Sequence, residues 1–143
     1  MIERQIDEEF VSTGQVRFVY RHFSFLGPES IRAAEATECA AEQGMFWEYH
    51  DTLFENWAGE NRGAFSDANL ERFARNINLN EEQFSQCMEE RRYLSRVEAD
   101  IDAARGAKVN STPTIFINGE HIGALQTYED YRQAILEALG DQG

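Results

Sequence analysis

The sequence predicts an α/β fold in which a small sheet, built near the two ends of the chain, brackets a long all-helical middle. Three observations lead there. Val16–Phe23 and Thr114–Ile117 are short runs rich in β-branched and aromatic residues, the composition of strands. Between them apolar residues recur at helical spacing. Outside them, Ile2, Ile6 and Phe10 at one end and Tyr131, Ile135, Leu136 and Leu139 at the other trace two more helical stripes.

Taken in order, the first stripe reads as the last turns of an amphipathic helix that Ser12-Thr13-Gly14 stops. Val16–Phe23 follows as a strand, with Arg17 and Arg21 bringing part of one face to solvent. Gly27-Pro28-Glu29 opens a helix, because proline suits the first helical position and an acid suits the dipole there. That helix runs through Ala33, Ala36, Thr37 and Ala40 to Gly44. Phe46, His50, Leu53, Phe54 and Trp57 are expected to form the buried stripe of the next helix. Ser66-Asp67 caps a third helix carrying Leu70, Phe73, Ala74 and Ile77. Asn80 with Gln83 resembles a capping box for a helix with Phe84, Cys87 and Met88 inward. Tyr93, Val97, Ile101 and Ala104 continue the helical pattern after a break near Arg91-Arg92, and Gly106 leads out of it. Thr114–Ile117 then pairs through Asn118-Gly119 with a return strand over His121–Ala124. Thr127 and Asp130 start the last helix.

Length and composition narrow the function. A chain of 143 residues with 42% hydrophobic content suits one compact domain with a real core. A net charge of -13 argues against a nucleic-acid partner, which requires a basic footprint. No apolar segment is long enough to span a bilayer, and the acidic, amphipathic N-terminus is no signal peptide. If Met1 is the true start, that makes the chain cytoplasmic. No cofactor is expected. His22, His50 and His121 have no partners at metal-ligand spacing, and His50 reads as a histidine packed at a helix interface.

The two cysteines, Cys39 and Cys87, fall within predicted helices and match neither Cys-x-x-Cys nor a zinc set. Three readings stay open: two buried free thiols, a structural disulfide tying two helices, or a redox-active pair.

Ser111-Thr-Pro-Thr-Ile-Phe-Ile-Asn-Gly119 resembles the cis-proline loop and following strand of the thioredoxin superfamily, in its DsbA-like branch. Val16–Phe23 with Phe25–Ser30, Glu38-Cys39-Ala40 with Phe46–Phe54, and Phe84–Met88 resemble the same branch in the right order. The resemblance implies a thioredoxin-like sheet with an all-helical insertion. The core is expected from residues 1–27 and 107–143 and the insertion from 28–106. The family's first core strand and its Cys-x-x-Cys are expected upstream of Met1 and are missing here, so the sheet is expected to be incomplete and the chain truncated. Ser111, Thr112 and Pro113 are then the loop that docks an extended or unfolded polypeptide, with a cis bond before Pro113. Relatives of this kind often carry a second, non-catalytic disulfide, which the resemblance assigns to Cys39 and Cys87.

The resemblance implies a thiol–disulfide oxidoreductase that is inactive in this form and extracytoplasmic when full-length. Two alternatives are a thiol-inactive, chaperone-like peptide-binding module and a glutathione-dependent isomerase or transferase. A sheet without its central strand exposes edges, so a homodimer is also expected.

Overall fold

The computed structural model describes residues 2–24, 27–59 and 62–140. They form two compact units, one from residues 1–21 and 109–143, the other from 22–108. The sequence expectation sets these boundaries at 27/28 and 106/107.

The first unit opens with α1 (Ile2–Ile6), which continues in a wider π-helical turn over Asp7–Val11. Ile6 and Phe10 are buried, as their spacing requires, and Gly14 ends the helix at a positive φ of 78°. β1 (Phe116–Ile117) and β2 (Glu120–His121) form an antiparallel hairpin, and the Ile122 amide bonds the Ile115 carbonyl beyond them. Asn118 and Gly119 sit at φ 50° and 83°, the pair of left-handed residues that a two-residue type I′ turn requires. α7 (Tyr128–Gly140) begins with a reciprocal cap: the Thr127 amide donates to Asp130 Oδ2, and the Asp130 amide donates to Thr127 Oγ1. Ile6, Phe10, Tyr131 and Ile135 make the core of this unit, with Ile115 and Ile117 against it.

Three expectations fail here. Val16–Phe23 forms no strand: among the described residues the only sheet is the two-stranded hairpin. Strand composition makes a strand only when another chain segment completes its ladder, and none does so here. Leu136, expected on the buried side of α7, is instead exposed. The return strand is also shorter than expected, covering Glu120–His121 rather than His121–Ala124.

The second unit is all helical: α2 (Pro28–Ala41), α3 (Phe46–Glu55), α4 (Asp67–Asn76), α5 (Glu81–Glu89) and α6 (Leu94–Gly106). α2 is central and contacts each of the other four. Its alanines permit this. Ala33, Ala36 and Ala40 face the core built by Tyr49, Leu53, Leu70, Phe73 and Phe84, while Ala34 packs on Val97 and Ile101 of α6. Small side chains on opposite faces let helices approach from both sides without overpacking.

The caps follow local rules. Ser66 Oγ accepts the Asn69 amide and Asn80 Oδ1 accepts the Gln83 amide. Only half of the expected Asn80–Gln83 box forms, however. The Asn80 amide donates to Gln43 Oε1, a partner arriving from the end of α2.

Helix α3 corrects a further expectation. Tyr49 and Leu53 are its core residues, whereas Phe54 and Trp57, placed on the buried stripe by spacing alone, are 64% and 61% exposed. The helix has two apolar faces, and periodicity does not say which one meets the core.

Candidate functional site

The loop that the sequence singles out runs from Val109 into β1. Lys108 turns the chain out of α6 with a φ of 61°. Ser111, Thr112 and Pro113 are exposed, and the Thr112–Pro113 peptide bond is cis. Thr114 Oγ1 donates to the Ser111 carbonyl at 2.6 Å, closing the loop across the proline. Immediately beyond, Ile115 and Ile117 point into the core and Phe116 points out, following the two-residue alternation of a strand. The loop is thus anchored on one side by half-buried isoleucines and presents its tip to solvent.

Its unit is further tied by Glu9, which accepts from the Tyr128 hydroxyl and, at 2.8 Å, from Arg132 of α7. The Tyr128 bond and the Arg132 charge hold the Glu9 carboxyl below its ordinary value despite the opposing effect of desolvation.

The cysteines belong to the other unit. Cys39 of α2 and Cys87 of α5 form a disulfide with an S–S distance of 2.08 Å and Cα atoms 5.9 Å apart. Both residues are buried. Of the three readings left open by the sequence, the free thiols are excluded, and no free cysteine remains.

Charged groups that the sequence reading passed over surround this disulfide along one side of α2. Glu35, essentially inaccessible, accepts two bonds from Arg91, at 3.1 and 2.8 Å, and one from Arg32 at 3.3 Å. Arg32 also reaches the Met88 carbonyl and Asp67. Two turns along, Glu42 accepts from Arg92 at 2.6 Å and from the Tyr93 hydroxyl at 2.7 Å. Burial pushes the Glu42 carboxyl up, but these two partners outweigh it and leave it below the ordinary value.

Between them, Glu38 receives His22 Nε2 at 2.8 Å and lies 3.5 Å from Arg96. The His22 bond, opposed by desolvation and helped by Arg96, keeps Glu38 ionised below the usual carboxylate range. The available signal was the placing of Glu35, Glu38 and Glu42 on an alanine-rich helix, opposite an Arg91-Arg92 pair with no other explanation. Buried carboxylates demand such partners.

His50 is buried, with Nδ1 3.2 Å from Asp51 Oδ1 and its ring packed against Phe46, Trp47 and Phe54 of the same helix. No helix among the described residues is long and apolar enough to cross a membrane.

Residues 2–137 match the family described as Thioredoxin. The Na(+)/H(+) antiporter NhaA 3 of Salinispora tropica is 35% identical over 139 residues, which cover 96% of this chain and 21% of the antiporter. Disulfide bond formation protein D of Bacillus subtilis is 25% identical over 138 residues, covering 94% of this chain and 62% of that protein. The chain therefore spans about a fifth of one relative and under two thirds of the other. The crystal structure of oxidised BdbD from Bacillus subtilis superposes with a TM-score of 0.83 at 25% identity, covering 96% of this chain and 76% of that one. A thioredoxin-like oxidoreductase from Silicibacter pomeroyi, 24% identical, shares the fold with a TM-score of 0.74 over 94% of this chain and 76% of its own. The family match over nearly the whole length, joined to the hairpin, the proline loop and the helical unit, makes this chain a member of the thioredoxin family with the fold of its DsbA-like branch.

Proposed function

We propose that this chain acts in thiol–disulfide exchange as the polypeptide-docking part of a DsbA-like oxidoreductase domain, and that by itself it exchanges no disulfides. The exposed loop Ser111-Thr112-Pro113 carries the reading. It enters β1 with its tip in solvent, while both cysteines are joined and buried elsewhere in the chain. An extended polypeptide laid along such a loop gains main-chain hydrogen bonds of the strand-addition kind, which are indifferent to sequence and suit unfolded clients. The buried disulfide serves as a staple between α2 and α5, which favours an oxidising, extracytoplasmic compartment. A homodimer belongs to the same proposal. Val16–Phe23 has strand composition without a ladder, and a second copy would complete one.

The test uses the full chain, a labelled cysteine-free unfolded polypeptide and the insulin reduction assay. The expected result is saturable binding that Thr112→Arg weakens about tenfold, with insulin reduced no faster than by the added reductant alone. Binding indifferent to Thr112→Arg removes the docking role. Rapid insulin reduction abolished by Cys39→Ala overturns the assignment of the disulfide as a staple. A monomeric mass by light scattering removes the dimer.

A further inference from the structure

Helix α3 carries a second surface that the docking loop does not use. Its core side is Tyr49 and Leu53. On the adjoining side stands an aromatic ridge: Trp47, 42% exposed, then His50, then Phe54, with Trp57 just past the helix end. The rings touch in series, with Trp47–His50 centroids 5.3 Å apart and His50–Phe54 centroids 4.7 Å apart. Phe54 and Trp57 are the most exposed large apolar side chains among the described residues. Leaving two large aromatics mostly in water forfeits the gain of burying them, and exposed apolar patches mark binding surfaces.

The flank of the ridge identifies its occupant. Glu48 and Glu55, both exposed and two helical turns apart, run beside the aromatic rings with Asp51 between them. The chain as a whole carries a net charge of -13. An anionic membrane surface is repelled by such a protein. A chain segment that alternates apolar side chains with lysine or arginine is attracted on both counts. Its apolar groups cover Phe54 and Trp57, while its cations pair with Glu48 and Glu55 or lie over the indole faces.

We infer that the aromatic ridge of α3 is a polypeptide-binding surface selective for basic, apolar segments of unfolded chains. The inference goes beyond the docking loop and does not depend on it. Tyrosine and tryptophan surfaces of this sort supply contact area with little loss of side-chain freedom, which suits transient capture of varied clients.

Both tryptophans of the chain are exposed, Trp47 on the ridge and Trp57 two residues past the helix end, so intrinsic fluorescence reports on this region. The probe is a short unstructured peptide alternating lysine with leucine and phenylalanine, titrated into the full chain. The expected result is a saturable blue shift that added salt weakens. Phe54→Ala, at a position too exposed to threaten folding, is expected to weaken binding about tenfold. Glu48→Gln with Glu55→Gln is expected to weaken it about threefold. Thr112→Arg is expected to leave it unchanged, which separates this surface from the docking loop. Equal binding of a peptide with glutamate in place of lysine overturns the inference, as does indifference to Phe54→Ala. A blue shift with phosphatidylcholine vesicles but not with the peptide would make the ridge a membrane contact and overturn it. A dimer that Phe54→Ala dissolves would make it a self-association face, with the same consequence.

Discussion

The two units of this chain are held together by different means. The helical unit, residues 22–108, has among its described residues two buried clusters, the larger of 13 residues, a disulfide, and the carboxylates of Glu35 and Glu42 joined to arginines on the chain that follows α5. The unit formed by residues 1–21 and 109–143 has, among its described residues, a core of four buried side chains, a hairpin with two-residue strands, and a surface cluster around Glu9. The first is cross-linked along a single helix. The second relies on bringing distant chain ends together around a few large side chains. The difference teaches that the unit carrying the exposed proline loop is the lightly built one. Functional loops are drawn from regions of low local stability, because they must adapt to what they bind.

The largest expected effect tests the staple. The disulfide closes a loop between residues 48 apart in sequence. Removing it as Cys39→Ala with Cys87→Ala should cost about 4 kcal/mol by the chain-entropy estimate. Urea denaturation measures the loss, and amide exchange should quicken first in α2 and α5. An unchanged urea midpoint would mean that the charged groups, not the sulfurs, hold the helical unit.

Next comes the lightly built unit. Phe10 is 1% exposed in a core of only four buried residues, so Phe10→Ala should cost about 3 kcal/mol. Exchange in α7 should rise while α2 and α5 stay protected. Equal loss of protection in all of these helices would break the contrast between the units.

A smaller effect is expected at Glu35. Its removal leaves Arg91 without its two bonds, but Arg91 is about half exposed and turns to water. Glu35→Ala should therefore cost about 2 kcal/mol, below the figure for a fully buried pair. Arg91→Ala in the Glu35→Ala background should add little, and simple additivity would sever the coupling between the two residues.

The smallest effect is read against pH. The folded protein holds Glu38 below the ordinary value of 4.5, so its contribution is fully present above that value. It is lost as the pH falls through the lower folded value, because only the ionised carboxylate is favoured by His22 and Arg96. Acid should therefore loosen the His22 contact, and Glu38→Gln should flatten the acid limb of the stability curve. An acid limb unchanged by Glu38→Gln would place the sensitive carboxylate elsewhere.

Much of this was legible in the chain itself. The helix starts at Pro28, Ser66, Asn80 and Thr127, the break at Arg91-Arg92, and the Asn118-Gly119 turn are local events. A few neighbouring residues settle them through sterics and short-range hydrogen bonds. The cis-proline loop was legible for the same reason: Ser111, Thr112 and Pro113 form one contiguous motif leading into a strand of β-branched and aromatic residues.

Tertiary structure alone decided the rest, since each remaining question concerned a partner far away in sequence. Val16–Phe23 had strand composition but found no ladder. Phe54 and Trp57 had helical spacing but stayed exposed, Phe54 on a side of α3 away from its core and Trp57 past the helix end. Cys39 could have stayed a thiol until α5 brought Cys87 to it, and Glu35 had no visible reason to be buried until Arg91 met it. Periodicity specifies that a face exists, and packing selects which face is buried and what it meets.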